Sequence, residues 1–116
     1  MARIRARKPL QAEPFTVGLS GELTLRWVAD VARRLSEALE EHASVRAEIA
    51  PDAEVDLTFV QLIEAARRAA NDSGKVFSLA GPAQGPLLET LQRGGFLSRA
   101  NPERRAFWLT ESGAQQ

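Results

Sequence analysis

The chain has 116 residues, 44% of them hydrophobic and 26% charged, which suits one domain with its own core and excludes a two-domain enzyme. Fifteen basic and fifteen acidic residues cancel to a net charge of zero, so no overall field attracts nucleic acid or an anionic membrane. With no cysteine, one histidine and no long apolar run, the sequence argues against disulfides, zinc sites, bound cofactors and membrane insertion, and predicts a cytoplasmic protein.

Residues 1–14 form a basic segment that we expect to be a flexible tail. Four cations lie within its first eight positions, and Pro9 and Pro14 follow with few apolar residues to bury. Residues 15–116 are then expected to form the single domain. The four cations are Arg3, Arg5, Arg7 and Lys8.

The first periodic segments predict a strand, a helix and a second strand. Phe15–Leu19 alternates apolar with small or polar residues, the period of a strand with one buried face. Thr24 suits the N-cap of an amphipathic helix over residues 25–42. Residues 45–49 alternate again, and Pro51 ends that strand.

Asp56 is expected to cap a second long helix, residues 57–71. On a helical wheel its apolar residues share one face, and Leu57 falls on the outward side with Gln61, Glu64 and Arg68, flanked by Val60. This outward side is the first candidate for a contact surface.

The rest of the chain predicts a strand, a third helix and a last strand. Residues 76–79 are strand-like, Pro82 and Gly94 bracket a leucine-rich helix, and residues 105–109 are expected to be the last strand. Trp108 would then point to the open face of the sheet, where a dimer partner, the basic tail or an edge position would shelter it.

This order of elements predicts an α/β fold with right-handed crossovers and a small, mostly parallel sheet. Strands that are covered on both faces are apolar throughout, whereas the first two strands carry polar residues such as Thr16, Arg46 and Glu48 at alternate positions. The helices are therefore expected mainly on one face.

Several segments, in this order, resemble the STAS family, the domain shared by anti-sigma-factor antagonists and the cytoplasmic tails of sulfate transporters. They cover roughly residues 15–97 and are Leu-Ser-Gly-Glu-Leu-Thr at 19–24, the acidic turn at Val55-Asp56 with the helix after it, Gly-Lys-Val-Phe-Ser-Leu at 74–79, and the late helix ending in Gly95-Phe-Leu97. Within the family, residues 56–62 and 65–68 look most like the small stand-alone proteins of bacterial chemotaxis and signalling clusters.

In phosphorylated members of the family, the residue directly after the turn aspartate is a serine that a partner kinase phosphorylates. Here Leu57 occupies that place and has no hydroxyl, so the usual switch chemistry cannot occur there. Thr58, one residue later, is the candidate substitute acceptor, although packing or a local hydrogen bond would also explain a threonine at this point.

The resemblance implies a non-catalytic signalling adaptor that binds a protein partner at the start of the second helix. The partner would be a signalling kinase, an anti-sigma factor or a chemotaxis component, and a homodimer stays open. The predicted contact residues are Asp56, Leu57, Thr58, Val60, Gln61, Glu64 and Arg68.

Two alternatives remain. An accessory STAS subunit of a membrane transporter complex would share the fold and differ in its partner. A small nucleotide-binding protein or enzyme is suggested by Gly81–Gly85 before a helix, but that loop lacks the Gly-Lys-Ser/Thr ending of a phosphate loop. His42 lies at a predicted helix end, where a cation complements the helix dipole, so it is not expected to be catalytic.

Overall fold

The structure is a computed structural model that describes residues 14–111. Apart from Pro14, the predicted basic tail therefore lies outside the described residues. The elements in chain order are β1 (Phe15–Leu19), β2 (Glu22–Leu23), a 3-10 turn (Leu25–Trp27), α1 (Val28–Glu41), β3 (Ser44–Ile49), β4 (Glu54–Val55), α2 (Leu57–Asp72), β5 (Val76–Leu79), α3 (Gly85–Arg93) and α4 (Pro102–Leu109).

The main sheet has the strand order β1-β3-β5, and both of its pairings are parallel. Its register aligns Val17 with Ala47 and Ala47 with Leu79, so buried residues form rows across the sheet. A second sheet consists of the short parallel pair β2-β4, which aligns Leu23 with Val55. The predicted α/β fold with a small, mostly parallel sheet is confirmed.

One face of the main sheet is buried and the other is exposed. On the exposed face lie Thr16, Arg46 and Glu48, the polar residues of the alternating pattern. Both α1 and α2 pack on the buried face and against each other, which means that the two crossovers, made in the same direction across the sheet, have the same hand. The expected one-sided placement of the helices is confirmed. The buried face consists of Val17, Leu19, Val45, Ala47, Phe77 and Leu79.

A side chain from outside α1 bonds to a backbone carbonyl at the C-terminal end of this helix. The last turn of α1 contains no basic side chain, but the Lys75 ammonium donates a hydrogen bond to the Leu39 carbonyl oxygen. This bond satisfies one of the carbonyls that a helix leaves unpaired at its C-terminus. His42 is the C-cap residue, as predicted, and its ring stacks on Phe15 with the ring centroids 4.1 Å apart.

The predicted last strand is wrong, because Pro102–Leu109 is the helix α4. Asn101 caps this helix by accepting a hydrogen bond from the Arg104 amide at 3.1 Å, and Pro102 occupies its first turn. Proline is favoured in a first turn, where its missing N–H costs no hydrogen bond. Trp108 consequently does not face an open sheet; its side chain is fully buried.

Candidate functional site

Asp56 organises the region where the sequence places the contact surface. Its backbone is extended, and its Oδ1 accepts hydrogen bonds from the Phe59 amide at 3.2 Å and the Thr58 hydroxyl at 2.5 Å. Its Oδ2 accepts a bond from the Leu25 amide at 2.9 Å. Asp56 is thus the N-cap of α2, as predicted, and it also ties that helix to the 3-10 turn before α1.

The pKa of Asp56 lies below its ordinary value of 3.8. Partial burial acts to raise the pKa, but hydrogen bonds from the Thr58 hydroxyl and from the amides of Leu25, Phe59 and Thr58 outweigh it. These donors favour the charged carboxylate, so the ionised form of Asp56 stabilises the folded chain.

A lowered pKa predicts a stability contribution that is present at neutral pH and lost in acid. Asp56→Asn keeps a capping side chain but cannot ionise, so wild type should be more stable than this variant at neutral pH. That advantage should shrink as the pH falls below about 4, through the folded-state pKa. Urea unfolding of both proteins across this range measures the difference. A difference that does not vary with pH would contradict the role given to the carboxylate.

Three large apolar side chains are exposed around Asp56. Leu25 is 66% exposed, Leu57 47% and Trp27 46%. The hydrogen bond from the Leu25 amide to Asp56 brings the 3-10 turn against the start of α2, so these residues belong to one region of the surface. We call Leu25, Trp27 and Leu57 the apolar patch.

The helical wheel missed two of these residues. Leu25 and Trp27 both lie within the amphipathic helix predicted for residues 25–42, but the α-helix begins only at Val28. The 3-10 turn has three residues per turn, so its side chains do not continue the α-helical face. Charges border the patch, because the Arg26 guanidinium lies 5.7 Å from the centre of the Trp27 ring and 3.9 Å from Glu22.

The predicted contact residues divide into two groups. Leu57, Gln61 and Arg68 are exposed, which confirms the outward orientation expected for them. Asp56 and Thr58 are half-buried at the helix start. Val60 is fully buried and Glu64 is 4% exposed, so including these two in an exposed surface was wrong.

Glu64 is buried because α4 covers this side of α2. The Trp108 indole N–H donates a hydrogen bond to Glu64 Oε2 at 2.9 Å. The Nε of Arg104 lies 2.9 Å from the same oxygen, but it makes no hydrogen bond of acceptable geometry, so this contact is an ion pair only. Glu64 therefore anchors the last helix and is not available to a partner.

The loop Gly81–Gly85 lies near the acidic side chain of Glu48. It lines a cavity of about 230 Å³ at the carboxyl ends of β3 and β5, where the charged lining residue is the acidic Glu48. Gly85 has a φ of +61°, and a Cβ on it would lie 2.3 Å from the Pro51 carbonyl oxygen. The glycine is thus explained by close backbone packing.

Within residues 14–111, no three or more histidine and acidic side chains lie close enough together to hold a metal ion. No helix in the same range is long and apolar enough to cross a membrane.

Comparison of the chain with protein-family models, with curated proteins and with solved structures finds no match. The STAS resemblance therefore rests on the sequence segments given above.

Proposed function

We propose that this protein is a STAS-like, non-catalytic signalling adaptor that acts in the cytoplasm and binds a protein partner through the apolar patch and the adjoining exposed residues of α2. The observation that carries the proposal is the exposure of Leu25, Trp27 and Leu57 in one region. Grouped large apolar side chains on a surface mark interaction sites more often than isolated ones do. Aromatic residues such as Trp27 are also enriched among those that dominate binding energy.

The hydrogen bonds of Asp56 support a surface that is formed before the partner arrives. They fix the start of α2 and the 3-10 turn relative to each other, because the amides of Leu25 and of Phe59, two residues after Leu57, both bond to the Asp56 carboxylate. Less ordering is then required on association, and ordering is a major cost of binding. Gln61 and Arg68 extend the surface along α2 as its polar border.

Regulation in this proposal proceeds by exchange of partners and not by phosphorylation. Leu57 has no hydroxyl, and the Thr58 hydroxyl donates to the Asp56 carboxylate. A phosphate on Thr58 would remove this donor and place two or so negative charges beside Asp56. The partner classes that suit the proposal are a signalling kinase, an anti-sigma factor or a chemotaxis component.

Leu57→Glu combined with Gln61→Ala is expected to lower affinity for the partner by at least about tenfold, the effect of altering a contact residue at the centre of an interface. The thermal midpoint should hardly change, because both side chains are exposed. Titration calorimetry with a purified kinase or anti-sigma factor encoded beside this chain measures the affinity, and thermal denaturation measures stability.

Two control variants separate binding from folding. Val76 is 57% exposed on the open face of the sheet, so Val76→Glu adds the same charge away from the patch and should leave affinity unchanged. Ile63 is fully buried in α2, so Ile63→Ala should cost about 2–5 kcal/mol of stability. A stable double variant that binds like wild type would refute the proposed surface.

A further inference from the structure

Within the part of the chain that the structure describes, β5 is an edge strand of the main sheet. The amides of Val76 and Ala80 donate to the carbonyls of Ala43 and Ala47, at 2.9 and 2.8 Å, so they face β3. Backbone groups alternate in direction along a strand, which means that those of Phe77 and Leu79 point away from β3. No strand within residues 14–111 pairs with this edge.

A groove of about 730 Å³ runs beside this edge. Residues of β5 and of α4 line it, among them Ala106 and Phe107, and the Phe107 ring centroid lies 5.9 Å from that of Phe77. Arg67 and Asn71, one turn apart on α2, complete the lining. An exposed strand edge beside a groove with both apolar and polar lining is an arrangement in which proteins bind an extended peptide as an additional strand.

Arg67 provides a charge for such a peptide to recognise. Its Nε is buried and has no hydrogen-bond partner among residues 14–111, while its guanidinium carbon lies 5.2 Å from the centre of the Phe107 ring. No acidic group of residues 14–111 lies within ion-pairing distance of it. Arg67 as a whole is only half-buried and lines the groove, and a carboxylate is the acceptor that satisfies an arginine best.

The acidic residues around the groove leave this charge available. Glu111 lies at the rim, with its Oε2 3.4 Å from the Nε of Arg105. Glu103 is exposed in the first turn of α4, where an acidic side chain complements the helix dipole. Neither forms an ion pair with Arg67.

We propose that this groove is a second binding site, which takes an extended segment of a partner protein as an added strand on β5 and pairs a carboxylate of that segment with Arg67. The backbone of the segment would bond to Phe77 and Leu79, and its apolar side chains would pack on Phe107. Ten residues along α2 separate Arg67 from Leu57, about 15 Å of helix, so this site is distinct from the apolar patch.

The probe is a peptide of about ten residues, selected from a displayed library of random peptides with the full chain as bait. The enriched peptides should combine an acidic residue with alternating β-branched or aromatic residues. On addition of a selected peptide, hydrogen exchange should slow at the amides of Phe77 and Leu79. Every second amide of the bound peptide faces β5. N-methylation of those amides should abolish binding, whereas N-methylation of the intervening amides should leave it unchanged, because only one edge of an added strand pairs with β5.

Matched variants test the charge. Arg67→Gln should lower affinity for the selected peptide by at least about tenfold, the effect of losing a charge-assisted pair. Arg68→Gln, an exposed neighbour on the same helix, should leave affinity unchanged, and so should Leu57→Glu. Three results would overturn the proposal: peptides whose binding survives Arg67→Gln, peptides whose binding is lost with Leu57→Glu, or amides of Phe77 and Leu79 that are already protected before any peptide is added.

Discussion

Replacement of Trp108 by alanine is expected to lower the free energy of unfolding by about 3–5 kcal/mol, the range for removing a large buried aromatic side chain. Trp108 is fully buried, its indole N–H bonds to Glu64, and its carbonyl accepts the Ala83 amide at 2.9 Å. The substitution removes the packing that holds α4 on α2 and leaves the Glu64 carboxylate without its donor. Urea unfolding followed by circular dichroism measures the change.

Two other variants show how much of the loss in unfolding free energy comes from the hydrogen bond to Glu64 and how much from burial of the side chain. Trp108→Phe keeps an aromatic ring but removes the N–H, so it should cost about 1–3 kcal/mol, the penalty for a buried acceptor that loses a hydrogen bond, while the ion pair with Arg104 remains. Trp27→Ala is the matched control, because this tryptophan is 46% exposed, and its effect should stay within about 0.5 kcal/mol. If Trp108→Ala proved as mild as Trp27→Ala, the packing of α4 on α2 would be wrong.

Gly85→Ala is expected to cost at least about 3 kcal/mol, because it combines a strained backbone with a steric clash. Gly85 has a φ of +61°, and the added Cβ would lie 2.3 Å from the Pro51 carbonyl oxygen. Either α3 or the loop after β3 would have to move. Thermal and urea denaturation both report the loss.

Two other glycines allow strain and clash to be measured separately. Gly21 has a φ of +78° but open space around it, so Gly21→Ala should show the strain alone, about 1–2 kcal/mol. Gly81, in the same loop as Gly85, does not have a positive φ, and a Cβ added to it would meet no atom of residues 14–111 within 4 Å, so Gly81→Ala should be nearly neutral. Equal losses at Gly81 and Gly85 would mean that the loop tolerates no side chain for some other reason.

The sequence predicts correctly the elements in which apolar and polar residues follow the period of an element with one buried face. Phe15–Leu19 and residues 45–49 alternate because only one side of the sheet is covered, and that side is the one on which the helices lie. Asp56 was predicted as a cap because its preference for the N-cap is local and needs no tertiary contact. The exposure of Leu57 followed directly from that helix start.

The errors arise where a distant element changes the environment of a residue. Glu64 lies on the polar side of α2 by periodicity, yet α4 covers it, and the sequence predicted α4 as a strand. The pair Asn101-Pro102 was the available sign of a helix start, since asparagine caps and proline opens helices. Leu25 and Trp27 were misplaced because a 3-10 turn and an α-helix begin with the same kind of residue.

The parallel pairing of all the described strands has a consequence for how the chain folds during synthesis. Phe15 aligns with Val45, Val45 with Phe77, and Glu22 with Glu54, so each partner lies about 30 residues further along the chain. No pair of adjacent strands can close as an early hairpin, and β1 stays without a partner until the whole of α1 and β3 have left the ribosome. We therefore expect the strands to pair only after the crossover helices, whose contacts are local, have formed. The folding rate should be lower than that of a helical bundle of equal length.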